Sequence, residues 1–148
     1  MGTQYDYIFT EFKDKITDPE LILFSKDMEN EMLVALMSKA IRRCYRICNE
    51  PDLNLRSDII LEFKFELPYD VIDIITEWMI VFWLEPFKNN LENLKNALST
   101  KDFTVFSPAN LLEKIGNEYE NSRKRARSLM NEYSYRIADM SRLKSWLK

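Results

Sequence analysis

The chain has 148 residues, 46% of them hydrophobic and 13% aromatic, which is the length and apolar content of a single packed domain and excludes intrinsic disorder. Two glycines and five prolines are too few for the tight turns of an all-β fold, so a helical protein is the default. The net charge of −3 hides an asymmetry: from Lys114 onward nine Lys/Arg stand against four Asp/Glu, giving +5 at the C-terminal end and −8 over the rest.

In chain order, Tyr5, Ile8, Phe9, Phe12 and Ile16 recur at helical spacing and predict a first helix over 4–16. Thr17-Asp18-Pro19 breaks it, and Asp18 can cap a short turn running through Phe24. A second helix is expected over 26–48, with Met28, Met32, Leu36, Ala40, Cys44 and Ile47 facing inward. Leu33, Met37 and Ile41 widen that stripe, so the helix should be buried on two sides. Arg42, Arg43 and Arg46 in its last turns suit the negative end of the helix dipole. After a polar connector, residues 59–67 alternate apolar and charged from Leu61 onward, the period of a strand. No partner strand is visible, so a short strand, an extended segment pairing between subunits and an irregular loop all stay open.

A third helix over 69–84 follows Pro68. Val71, Ile72, Ile75, Trp78, Met79 and Phe82 make one dense face and Ile74, Val81 and Trp83 fill much of the other, which marks the central core helix. Glu85-Pro86 ends it. A shorter helix over 87–98 presents Leu91, Leu94 and Leu98 with an asparagine-rich outer face. In the loop beyond it, Phe103 and Phe106 can anchor the chain to the body. Ser107 before Pro108 then reads as the start of a long helix to about Tyr135. Within that helix, apolar content between Glu120 and Ser128 falls to one alanine, so this stretch is expected to be exposed or to face another subunit. The expected fold is an all-α bundle of about five helices with one long C-terminal helix, residues 1–136 forming the domain and 137–148 a docking tail.

Chemistry is nearly absent. There is no histidine, and the glycines, Gly2 and Gly116, form no phosphate-binding loop. Carboxylate pairs such as Glu29/Glu31 and Asp70/Asp73 read as ordinary helix-face charges, so neither a catalytic centre, a cofactor nor a metal is expected. Cys44 and Cys48, at i and i+4, fit reduced buried thiols of an intracellular protein. The N-terminus does not read as a signal peptide, and the longest apolar run, Trp78 to Leu84, cannot span a bilayer, so no membrane partner is expected. The sharpest surface feature is Arg123-Lys124-Arg125-Ala126-Arg127, whose cations spread around a helix as a collar. The collar can meet nucleic-acid phosphates or an acidic protein surface, or be an ordinary solvated face in which Arg123 and Lys124 pair with Glu120.

Four phrases carry a resemblance: Trp83-Leu84-Glu85-Pro86 with the asparagine-rich helix after it, Leu98-Ser99-Thr100-Lys101-Asp102-Phe103, Phe106-Ser107-Pro108-Ala109-Asn110-Leu111-Leu112, and Tyr133-Ser134-Tyr135-Arg136. Over about half the chain, Asp70 to Arg136, the sequence resembles the head–tail connector (adaptor, neck or head-completion) proteins of tailed bacteriophages. The resemblance implies a helical structural subunit, monomeric when free and a dodecameric ring on the portal vertex of the virion. It implies as partners the portal, a tail-side or stopper protein and sister subunits, with packaged DNA passing nearby, and as locations the virion neck and, during assembly, the host cytoplasm. The residues proposed to meet portal, neighbour or DNA are Arg123, Lys124, Arg125, Arg127, Arg136, Arg142, Lys144 and Trp146. The competing expectations are a soluble helical protein-interaction module and a nucleic-acid binder using the collar.

Overall fold

A computed structural model describes residues 2–49, 51–97 and 108–147. Among them run α1 (Tyr5–Asp14), α2 (Pro19–Ser25), α3 (Asn30–Cys44), β1 (Arg56–Ser57), β2 (Glu62–Phe63), α4 (Tyr69–Leu84), a 3-10 turn (Glu85–Phe87), α5 (Leu91–Ala97) and α6 (Pro108–Trp146). The protein is all-α apart from this two-stranded ribbon, with six α-helices among the described residues where about five are expected. Phe103, Phe106 and Ser107, the expected loop anchor and cap, lie outside the described residues, and Pro108 opens α6.

Helix α4 is the axis. Twelve of its residues are buried, including Val71, Ile75, Met79 and Ile80 at 0–1% exposure, because its sequence is apolar nearly all round. Each such aliphatic side chain contributes about 1.5–3 kcal/mol on burial. The most extensive contacts of α4 are with α6 and α3, and α1 crosses it as well. Aromatic rings join these layers: Phe12 and Phe24 both pack on Trp83, and Phe24 meets Phe87 edge-on with centroids 5.1 Å apart. Cys44 and Cys48 are free and fully buried, and the hydrogen bond between them together with burial pushes the Cys44 thiol up.

Two ends of the molecule can be told apart. At the C-terminal end of α4 sit α2, through Phe24, and the first turns of α6, through Lys114 bridging to Asp18 and Glu20. The Asp18 side chain caps α2 by accepting from the backbone N–H groups of Glu20 and Leu21. At the N-terminal end of α4, Arg136 of α6 pairs with Asp70, so α6 runs antiparallel to α4 along its whole length.

The segment at 59–67 finds its partners on both sides. β2 pairs antiparallel with β1 in the register Arg56↔Phe63 and Ser57↔Glu62. Its other edge binds the N-terminal residues: Phe63 N–H donates to Thr3 O at 2.8 Å, Tyr5 N–H to Leu61 O at 2.9 Å, and Thr3 N–H to Phe65 O at 3.2 Å. A Cβ on Gly2 would fall on the Phe63 carbonyl, so the close approach of this edge requires glycine. Leu61 holds φ +56°, an unfavourable conformation for leucine, fixed by those hydrogen bonds. The hairpin tip leaves Ile59 94% and Ile60 68% exposed.

Several expectations are corrected. The second helix is shorter at both ends than 26–48, because residues 26–27 and 45–47 form turns and Glu29 is extended. Its buried stripe is Leu33, Leu36, Met37, Ala40, Ile41 and Cys44, and Met32, expected inside, is 47% exposed. Met32 directly precedes Leu33, and one residue's step turns a helix by about 100°. The helix expected over 87–98 is shorter, α5, preceded by the 3-10 turn and by Asn89 at φ +54°.

Candidate interaction surface

Helix α6 is 39 residues long, about 58 Å at 1.5 Å per residue, against 16 residues in α4. It therefore cannot be covered along its length by the helix it packs on. Its inner positions follow a seven-residue repeat, Leu112, Tyr119, Ala126, Tyr133, Met140 and Leu147, with Ile115, Ser122, Leu129 and Leu143 on the alternate seam. Ile115, Ser122 and Ala126 are fully buried, Tyr119 and Tyr133 nearly so. Beyond the Arg136–Asp70 contact the same seam is uncovered: Met140 is 51%, Leu143 63% and Leu147 85% exposed, and Trp146 beside them 88%. Residues 137–147 are thus a helical arm projecting roughly 16 Å past the last anchoring contact. The long helix continues to Trp146 rather than ending near Tyr135, because nothing between Arg136 and Trp146 breaks it: no proline or glycine intervenes.

The stretch Glu120–Ser128, expected to be exposed or to face another subunit, packs on the body through Ser122 and Ala126. Ser122 and Ala126 are small, and that is why they are buried: they let the two helix backbones come together. Low apolar content signalled close packing here. Gly116 plays no such part, since a Cβ built on it meets nothing within 4 Å.

The collar splits by direction. With Ala126 facing inward, Arg125 and Arg127 leave the helix on opposite flanks, about 100° to either side. Arg125 turns onto the body, where its Nε lies 3.3 Å from Glu77 Oε1 and its Nη2 donates to Glu118 Oε1 at 2.9 Å and to Ser122 Oγ at 3.1 Å. Glu77 is 4% exposed and is also 3.4 Å from Lys15 Nζ, so one buried carboxylate ties α1, α4 and α6 together. Lys15 is shared in turn with Asp73 at 3.6 Å. This clamp is absent from the sequence reading; the signal for it is the lone acid in the apolar run from Ile74 to Leu84. Lys124 and Arg127 are exposed and Arg123 is half-buried. Glu120, one expected intrahelical partner of Arg123 and Lys124, bonds to Lys88 at 2.6 Å; that bond, with weaker attraction from Arg123 and Lys124, holds its carboxyl below the usual range. Lys88 also lies 4.3 Å over the Tyr119 ring, so this pair pins the 3-10 turn to α6.

The anticipated contact residues therefore form three sets. Arg125 and Arg136 are engaged with the body, Arg123, Lys124 and Arg127 line the outer side of mid-α6, and Arg142, Lys144 and Trp146 stand on the arm. No single patch collects them, since Arg125 and Trp146 are separated by about 31 Å of helix. No protein-family model, curated protein or solved structure matches the chain. The surface must be read from its own chemistry: among the described residues no helix is long and apolar enough to cross a membrane, and no group of three or more His, Cys, Asp or Glu is placed to hold a metal ion. What the arrangement offers is a folded body with a helical arm whose exposed apolar strip is flanked by Arg142 and Lys144.

Proposed function

We propose that the protein is a structural subunit of a tailed-bacteriophage neck, a head–tail connector that assembles as a ring on the portal vertex, extends the DNA channel and receives the tail side or a stopper. The observation that carries this reading is the arm: residues 137–147 extend the heptad seam of α6 beyond its intramolecular partner and expose Met140, Leu143, Trp146 and Leu147. A monomer gains nothing from such a helix, whereas a subunit that must be held in an assembly does. The charge layout supports the same reading. An acidic body suits a channel along which DNA slides without sticking, and a basic C-terminal end suits contacts with the acidic flank of a neighbour or portal. The role is one of binding and assembly rather than catalysis, and the resemblance over Asp70–Arg136 points to the virion neck as the place.

The test is negative-stain imaging of the purified protein alone and mixed with the portal ring of the same phage. An added layer on the portal is the expected result, absent with a chain ending at Arg136 that keeps the helical circular dichroism of the body. A monomer that ignores the portal overturns the connector reading in favour of a soluble interaction module.

A further inference from the structure

The uncovered seam needs an occupant, and the chain itself carries a surface that fits. At the corner where α2 turns into α3, Ile22 and Leu23 are each 46% and Met32 47% exposed, three apolar side chains on two helices joined by residues 26–29. Around them stand the exposed carboxylates Asp27, Glu29 and Glu31, with Lys26 the one cation in the turn; the three acids have no ion-pair partner among the described residues. The arm is the reverse: apolar Met140, Leu143, Trp146 and Leu147 flanked by Arg142 and Lys144, also without ion-pair partners among the described residues, with Asp139 as its one acid. The two surfaces cannot meet within one subunit. The arm leaves the body past Asp70, at the N-terminal end of α4, while α2 packs at the C-terminal end, on Trp83 and Phe87, about 24 Å away along the 16 residues of α4.

We infer that the arm, residues 137–147, docks onto the α2–α3 corner of a second copy of this chain. The contact is heterologous, with a different surface on each side, which gives a ring when the rotation between copies closes and a filament when it does not. The seven-residue repeat selects a helix as the seat, because a seam that packs on α4 in one part presents the same knobs in the next. The opposite charges set orientation and make the contact weaken with salt. The inference deepens the connector reading, and rests on it for the closing of a ring, by naming what one sister subunit offers the next.

The experiment mixes two full-length variants, Trp146→Cys and Met32→Cys, with a short bis-maleimide at about 0.5 mM subunit, enough to populate a contact of Kd near 1 mM. The native Cys44 and Cys48 are fully buried and do not compete. The expected result is a cross-linked heterodimer whose yield falls at least tenfold when Glu29→Lys and Glu31→Lys accompany Met32→Cys. The yield should return when Arg142→Glu and Lys144→Glu are placed on the arm variant. That recovery also shows that the charge variants are folded. No heterodimer, a heterodimer indifferent to the charge reversals, or a product formed by Trp146→Cys alone overturns the inference, the last in favour of arm-to-arm pairing. A portal layer without the cross-link sinks the inference and spares the connector reading; the cross-link without a portal layer does the opposite.

Discussion

Residues 111–133 and 137–146 belong to one helix and follow one seven-residue repeat, yet the first stretch is built into the core and the second is exposed. In the first, Leu111, Ile115, Ser122 and Ala126 are completely buried; in the second, every side chain described is exposed. The row Leu112 to Leu147 runs on past Arg136, although Arg136 itself takes a place on the alternate seam. What changes is the neighbour: α4 begins at Tyr69, and past its first turn α6 has no helix beside it. Burial along a helix is thus set by the length of its partner as much as by its own periodicity, and the excess length is where stability and assembly can be altered separately.

The comparison breaks most sharply in the buried stretch. Ile115→Ala should cost about 2–4 kcal/mol in urea unfolding, as expected for emptying a fully enclosed aliphatic site. A loss below about 1 kcal/mol would mean that α6 is not packed on the body as described. Smaller effects should follow in the collar, where direction and not charge decides. Arg125→Ala removes one of the two cations facing buried Glu77; since the arginine is itself half exposed, the cost should be about 1 kcal/mol. Arg127→Ala, one helix flank away, should change stability by less than about 0.5 kcal/mol. Equal losses from the two variants would remove the clamp.

Asp18 gives the pH dependence of the α2 end. Burial opposes its charge, but the N–H of Leu21, the Lys114 ammonium and the N–H of Glu20 outweigh it and hold the carboxyl below the ordinary range. A carboxyl depressed in the folded state contributes stability that is present in full above its unfolded pKa, about 4, and lost as pH falls through the lower folded value. Acid titration of stability should therefore show a loss below about pH 4 that is reduced in Asp18→Asn, which keeps a capping side chain without the titrating charge. An identical acid limb in both proteins would detach Asp18 from that loss.

Periodicity located most of these elements because burial and helical geometry are local signals. Tyr69–Leu84 is legible to the residue, bounded by Pro68 and Pro86 and predominantly apolar. What local patterns could not supply were partners. The alternation at 61–67 announces a strand, but its mates are Thr3 and Tyr5, some sixty positions away, and β1, a two-residue strand too short to leave a periodic signal. Ser122 and Ala126 misled for a related reason: a small side chain scores as weakly apolar whether it faces water or lets two backbones approach. The arm residues Arg142, Lys144 and Trp146 are legible as contact candidates, while the corner of Ile22, Leu23 and Met32 with Asp27, Glu29 and Glu31 is not. Met32 fits two overlapping stripes, and only packing against α4 selects the one that excludes it.

Gly116 sharpens the picture from the opposite direction. It sits in the buried stretch of α6, yet a Cβ there meets nothing within 4 Å, so Gly116→Ala should stabilise the fold by about 0.5–1 kcal/mol through the backbone entropy that glycine loses in a helix. Destabilisation by the same substitution would reveal a close contact at that turn, six residues and nearly two turns before Ser122.

The smallest expected effect on stability belongs to the arm. Leu143 is 63% exposed, so Leu143→Ala gives up little packing within the subunit, and alanine is the better helix former. The unfolding free energy should stay within about 0.5 kcal/mol of the native chain, while association between subunits and formation of a portal layer should be lost. The two readouts divide the possibilities cleanly. A loss of more than about 1 kcal/mol in the isolated subunit would mean that the seam beyond Arg136 is covered by its own chain. Unchanged stability together with unchanged assembly would mean that the arm is surplus length, and the unbroken repeat from Leu112 to Leu147 would then have no task beyond α4.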